Sequence, residues 1–168
     1  GPAGAQSLAL QPLDQARWQG STAGRRQSAR ALRHWRRVLE QAPYRQFSTM
    51  RDRAEAGEEP PYLKLVLASQ AALLAARMIA ERTRQSLGHI LLAAFSLAVA
   101  RLSERTRVVL RVVVDNRFRP GLAESVSTVS QMGLWSIDVA AAGFDGVLAR
   151  AVTASLDAYM NAYYDPQE

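Results

Sequence analysis

Few residues in this chain can do chemistry. His34 and His89 are the whole supply of imidazole, and cysteine is absent. That excludes disulfides, thiolate metal sites and cysteine nucleophiles, and leaves most zinc sites and Ser-His-Asp triads short of ligands or bases. Neither Gly-x-x-x-x-Gly-Lys-Ser/Thr nor Gly-x-Gly-x-x-Gly occurs, so phosphate loops of those kinds are excluded too. His89 lies in the most apolar stretch with no carboxylate within a turn. It fits a core or gap-facing imidazole holding one hydrogen bond better than a general base. His34 stands among arginines and reads as a surface residue. Neither has metal-ligand spacing, and no metal site is expected.

Two other constellations stand out. The string Asn116-Arg117-x-x-Pro120-Gly121-Leu122 follows a β-branched run, where side chains at a strand end face whatever cleft the sheet forms. Asn offers two donors and an acceptor, and Arg a rigid fork of five donors. Either they face a ligand, or Arg117 ties the turn to nearby oxygens. On the residues alone the two readings weigh the same. Arg26, Arg30, Arg33 and Arg37 recur every three or four residues and so form one stripe on a helix. A solvated face is the plain reading. Nucleic acid is the weaker one, since no aromatics interleave for base stacking, and an acidic protein partner is the third.

The elements that must position these residues follow from periodicity and caps. Ser21 and Thr22 can cap a helix that runs to about Glu40 and is stopped by Pro43, with Leu32, Trp35 and Leu39 on one side. Residues 44–61, with Gly57 and Pro60-Pro61, read as a loop or crossover. Residues 62–68 are predicted to form a strand. Ser69 caps a helix from Gln70 to about Thr83, and Ser86 caps another over 87–102 that is apolar all round and so expected to be central. Residues 108–114 read as a strand buried on both faces, Pro120-Gly121 as a turn, residues 132–140 as another strand, and 144–163 as a final amphipathic helix. Helices and strands alternate, so the fold class is α/β or α+β.

With 168 residues, 48% apolar, the chain is long enough for a real core. No apolar run reaches the roughly 18 residues of a membrane span and no signal segment opens it, so a soluble, cytoplasmic protein is expected. The net charge is +6, carried by twenty arginines and the single Lys64, ten of those arginines falling between Arg17 and Arg53. Arg and Ala share GC-rich codons, so part of this bias reports genome composition. Gly1-Pro2 resembles the remnant of a cleaved tag; residues 1–7 are set aside as tag or disordered lead-in, leaving 8–168 as the folded segment.

The order of these strings resembles the condensation domains of nonribosomal peptide synthetases. Residues 91–102, Leu-Leu-Ala-Ala-Phe-Ser-Leu-Ala-Val-Ala-Arg-Leu, resemble that family's central helix of the second lobe, and residues 108–122 the stretch after it. Residues 126–131 resemble its Gly-x-Phe-Val-Asn motif, with Ser127 in place of glycine and Gln131 in place of asparagine. Asp14-Gln15-Ala16-Arg17-Trp18 is similar to Tyr-x-Asp-aromatic-Ala-Val-Trp, keeping Asp14, Ala16 and Trp18, and residues 32–39 resemble the segment that comes next. The family's catalytic His-His-x-x-x-Asp-Gly is absent, as is its closing Ser-Arg-Asn-Pro-Leu.

The resemblance implies a chloramphenicol acetyltransferase-like lobe, a mixed sheet flanked by helices, forming the C-terminal part of a two-lobed domain. Such domains form amide bonds between aminoacyl or peptidyl thioesters held on the phosphopantetheine of carrier proteins, in secondary metabolism and antibiotic biosynthesis. This chain would supply one wall of the substrate tunnel, with Trp18, Asn116, Arg117 and Gln131 on it and Arg26, Arg30, Arg33 and Arg37 facing a carrier protein. It would hold no catalytic residue or cofactor and be inactive alone. Its partners would be the N-terminal lobe and a carrier protein, not a membrane. The alternatives are a noncatalytic recruitment domain of the same fold, binding a carrier protein or tailoring enzyme, and an arginine-rich nucleic-acid-binding domain.

Overall fold

Ser21 makes two helices out of one run of sequence. In the computed structural model, which describes residues 10–47, 64 and 66–167, α1 spans Pro12–Gly20 and α2 spans Thr22–Glu40. Between them Ser21 adopts extended backbone, its hydroxyl donating to the Trp18 carbonyl at 2.6 Å and accepting from Gly24 N–H at 3.2 Å. It therefore satisfies orphan groups of both helix ends. Gly24 is required by close approach, since a Cβ there would collide with the backbone of Trp18 and Gln19. Helix α2 and its stop match the sequence reading. Helix α1 has no counterpart in the sequence reading, where Asp14 to Trp18 stand only as a motif and the Pro12 start carries no weight.

The chain forms two compact units: Gly1–Ala42, Val109–Ser136 and Thr153–Glu168 in the first, and Pro43–Val108 and Ile137–Val152 in the second. In the first, α2 buries Gly24, Ser28 and Ala31 and turns its arginine stripe the opposite way. Trp35 donates from Nε1 to the Asn161 carbonyl at 3.3 Å, and its ring lies 5.3 Å from that of Tyr164.

In the second unit, α3 spans Gln70–Thr83 and α4 spans Leu87–Ser103. The Ser69 and Ser86 hydroxyls accept from Ala72 N–H and His89 N–H, as expected of N-caps. Arg84 and Glu104 end the two helices in left-handed backbone. The α3 and α4 axes are bent 116° apart, and no single helix among the described residues is long and apolar enough to cross a membrane.

The expectation that α4 is wrapped on all sides needs correcting. It buries Ile90, Ala93, Ser96, Val99, Ala100 and Ser103, but Leu91, Phe95 and Leu102 on the other side are 59%, 55% and 78% exposed. Their spacing of four and seven residues makes them one continuous apolar stripe.

Strands β1, Arg107–Val114, and β2, Gln131–Asp138, form a two-stranded sheet. Val139 N–H, just past β2, donates to the carbonyl of Thr106, just before β1, so the strands run antiparallel. β1 is not buried on both faces: Val108 and Val114 are buried, Val113 is exposed. Nor do the described parts of 62–68 form a strand. Lys64 and residues 66–68 are exposed and unpaired, and β-prone side chains make a strand only where a neighbour supplies the ladder. Most of the loop read over 44–61, and all of residues 1–7, lie outside the described residues.

Helix α5 spans Phe144–Met160, ending three residues earlier than its periodicity suggests. Its small residues make room: Trp135 of β2 is fully buried and donates from Nε1 to the buried Ser155 hydroxyl at 3.1 Å. In the second unit, Arg82 of α3 grips Asp145, in the first turn of α5, through bonds of 2.8 and 2.6 Å.

That grip makes a pH prediction. The Arg82 guanidinium, by hydrogen bond and by charge, holds the Asp145 carboxyl below its ordinary value of 3.8. A depressed carboxyl contributes stability above its unfolded value, and that contribution disappears as pH falls through the folded one. Both side chains are well exposed, so the effect is small. Asp145→Asn is expected to lower Tm slightly at neutral pH, and the difference from the parent protein should shrink as pH falls below the ordinary carboxyl range and through the folded value. Thermal melts across this range check it.

Candidate functional site

The site is a pocket of about 190 Å³ in the first unit, lined by Leu10, Gln15, Trp18, Arg119, Pro120, Leu122 and Tyr163. Helix α1 places Gln15 and Trp18 one turn apart on the same face. The rings of Trp18 and Tyr163 lie 5.6 Å apart at 39°. Tyr163 is buried, and its hydroxyl accepts from Gln15 Nε2 at 3.1 Å and from Gln19 Nε2 at 3.3 Å. Leu10 seals the turn side: its N–H donates to the Gly121 carbonyl at 2.8 Å, and its side chain occupies the space a Cβ on Gly121 would need. Gly121 also has φ +79°, a left-handed conformation that suits glycine. A smaller cavity of about 100 Å³ shares Trp18 and Tyr163 and is bounded by Gly24, Ser28 and the 164–166 segment.

Arg119 is the charged group of the pocket. Its Nε donates to Asn116 Oδ1 at 3.1 Å and its Nη2 to the Met160 carbonyl at 3.2 Å. The guanidinium lies over the Tyr163 ring at 5.0 Å and the Phe118 ring at 5.5 Å. Burial draws its pKa below the ordinary arginine value, opposed by the nearby Tyr163.

Of the four tunnel residues expected from sequence, only Trp18 lines this pocket, joined there by Pro120 and Leu122 of the Asn116-to-Leu122 string. The other three stand behind it. Asn116, in the 3-10 turn Asn116–Phe118, is fully buried, with Nδ2 donating to the carbonyls of Val129 at 2.9 Å and Ala162 at 3.1 Å. Both donors are used on backbone, and its oxygen accepts from Arg119. Arg117 clamps the following loop, reaching the carbonyls of Leu122, Ala123 and Ser125 from Nη1, at 2.6 Å for Ser125, and that of Ser127 from Nη2. That is the turn-tying alternative. Gln131 makes a two-way bond with Tyr164, donating to its carbonyl at 2.7 Å and accepting from its N–H at 3.2 Å. It thereby fixes the residue next to Tyr163.

The residues that face the cavity and were missed are Gln15, Arg119 and Tyr163. Arg119 lay in an unspecified position of the Asn116-to-Leu122 string. Tyr163 was read only as the end of a helix. Gln15 is held by the Ser127 hydroxyl, which donates to its Oε1 at 3.1 Å and is itself paired with the Ser125 hydroxyl at 2.7 Å.

Outside the pocket, Arg26, Arg30, Arg33 and Arg37 are all exposed and have no ion-pair partner among the described residues. His34 is half-buried rather than a surface residue, with Nε2 unpartnered; His89 is also half-buried, and its Nδ1 lacks the hydrogen bond expected. No cluster of three or more potential metal ligands occurs among the described residues.

Asn116 is thus the support of Arg119. Asn116→Ala would leave two buried carbonyls and the Arg119 Nε–H without partners, so an unfolding free-energy loss of roughly 2–4 kcal/mol is expected. Asn116→Asp should do at least as much harm at neutral pH, because an acceptor-only carboxylate would face two carbonyl oxygens. Urea denaturation measures both, and changes within about 0.5 kcal/mol, as for ordinary surface substitutions, would overturn the assignment.

No protein-family model matches this chain, and no curated protein does. Solved structures do. One, the molecular basis for condensation domain-mediated chain release from the enacyloxin polyketide synthase, aligns with a TM-score of 0.66 and 27% identity over 96% of this chain and 31% of that one. Another, SgcC5 from Streptomyces globisporus in complex with a naphthyl ethanediol and sucrose, aligns with a TM-score of 0.69 and 17% identity, over 95% and 36%. This chain spans about a third of the length of each. Its fold is condensation-domain-like, a mixed α/β arrangement with helices about a two-stranded sheet.

Proposed function

We propose that this chain is the second-lobe portion of a condensation domain, acting with a histidine-bearing first lobe to join a carrier-bound acyl or peptidyl thioester to an acceptor amine. The observation that carries this is the match over 96% of the chain to about a third of a condensation domain. The chain has no His-His-x-x-x-Asp-Gly, so the proton transfers of the reaction fall to the other lobe. Its own contribution is positional. One wall of the tunnel carries Trp18, while Asn116, Arg117 and Gln131 hold the loops behind that wall. Two tethered substrates kept within reach make the step effectively unimolecular. The exposed Arg26, Arg30, Arg33 and Arg37 stripe is the docking face for an acidic carrier protein, where complementary charge speeds encounter.

A second reading concerns the acceptor alone. One structural neighbour is described as mediating chain release and another as holding a small aromatic diol. Both favour a free small molecule over a carrier-bound amine as the nucleophile.

The bare stripe of α4 supports a larger parent fold, since apolar surface of this kind is covered in a complete domain. The test is co-production of this chain with the histidine-bearing lobe of its parent polypeptide, with condensation product followed by mass spectrometry on carrier-bound substrates. Stable association and product formation by the pair, with none from either piece, is the expected result. Failure to associate would refute the proposal. Phe95→Glu should weaken association at least about tenfold, from lost aromatic burial and a buried charge. Its exposed position means the isolated chain should keep its helical circular dichroism.

A further inference from the structure

Among the residues that line the pocket, Arg119 keeps more donors than the described groups use. A guanidinium has five N–H donors in a planar fork. One serves Asn116 and one the Met160 carbonyl, which leaves three. No carboxylate pairs with it among the described residues, although Arg117, two positions earlier, has Asp115 at 3.7 Å. The cation is half-buried at the wall of a pocket whose other walls are mostly Leu10, Pro120, Leu122 and the rings of Trp18 and Tyr163. A partly desolvated cation with free donors and no counter-ion is an unfavourable arrangement that an anionic ligand would relieve.

The surroundings narrow the anion. A single guanidinium among apolar walls suits a weakly hydrated, planar carboxylate, which accepts two parallel N–H bonds, better than a dianionic phosphate. The aromatic pair, 5.6 Å apart, offers ring faces and edges for an apolar body. At about 190 Å³ the cavity has room for roughly six waters at about 30 Å³ each, or for one ring with its carboxylate.

We propose that the Trp18–Arg119–Tyr163 pocket is a binding site for a small aryl or branched acyl carboxylate, its carboxylate on the free donors of Arg119 and its apolar body against Trp18 and Tyr163. The site lies wholly within the first unit and does not depend on the condensation reading, so the two stand or fall separately.

Benzoate is the probe, with benzyl alcohol as the neutral counterpart of the same ring, each titrated into the whole chain and followed by ligand-observed NMR. Benzoate should bind saturably and at least about tenfold more tightly than benzyl alcohol, the loss typical of a charge-assisted hydrogen bond. Trp18→Leu leaves every Arg119 bond in place and should weaken benzoate about tenfold on a chain that keeps its helical circular dichroism. Arg119→Gln should abolish the preference for benzoate over benzyl alcohol. Absence of saturable binding, equal affinity for the two probes on the parent protein, or benzoate affinity untouched by Trp18→Leu would each overturn the assignment. The comparison of two probes on the unaltered protein keeps the test decisive even if Arg119→Gln fails to fold.

Discussion

Asn116 is the point on which the first unit turns. One buried side chain binds the carbonyl of Val129 ahead of β2, the carbonyl of Ala162 after α5 and the guanidinium of Arg119 in its own turn. The two carbonyls are 33 residues apart in sequence, and both converge on this one amide. A buried amide with donors and acceptor all used is favourable only in one geometry. It therefore fixes the loop after β1 against the C-terminal segment more sharply than the Leu122, Val129 and Tyr163 cluster beside it could, because apolar contacts are non-directional.

Around that bond the remaining polar groups act in sequence. Arg117 draws the carbonyls of 122–127 together, which presents Ser127 to Gln15, and Gln15 in turn holds the Tyr163 hydroxyl. Gln131 fixes Tyr164, which stacks near Trp35, while the Asp165 N–H donates to Ser28 on α2. Five of these residues, Ser127, Gln15, Tyr163, Gln131 and Ser28, act through amides or hydroxyls on backbone or on each other. Such bonds define loops that carry no regular ladder of their own, and those loops supply the pocket walls that α1 does not.

The legibility of the sequence follows the same division. Caps are local, so Ser21, Ser69 and Ser86 announced α2, α3 and α4 correctly, and β1, β2 and α5 appeared from composition and period. Strand pairing and helix burial are not local. Residues 66–68 have strand-like side chains with no ladder to join, and the apolar circumference of α4 says only that something covers it, not that this chain does. At the site, Asn116 and Arg117 stand out as polar residues at a strand end and Gln131 only through the family resemblance, but their type cannot say whether a ligand or the backbone satisfies them. Arg119 and Tyr163 carried no periodic or spacing signal. They became visible only when the fold brought residues 18, 119 and 163 to one cavity.

The two units differ in what they leave unfinished, and the difference has a physical meaning. In the first, besides scattered exposed apolar residues such as Leu13, Val113, Val126 and Leu156, the feature left open is charge: the arginine stripe of α2 and the remaining donors of Arg119. Unpaired exposed charge is tolerated in water and acts at long range, so it suits transient partners and ligands. In the second, the excess is hydrocarbon, with Leu91, Phe95 and Leu102 on α4 and Leu74 and Met78 on α3 turned outward. Exposed hydrocarbon acts only at contact and favours permanent burial. On the proposed reading, the α4 stripe is the surface suited to lasting contact and the arginine stripe of α2 the one suited to molecules that come and go.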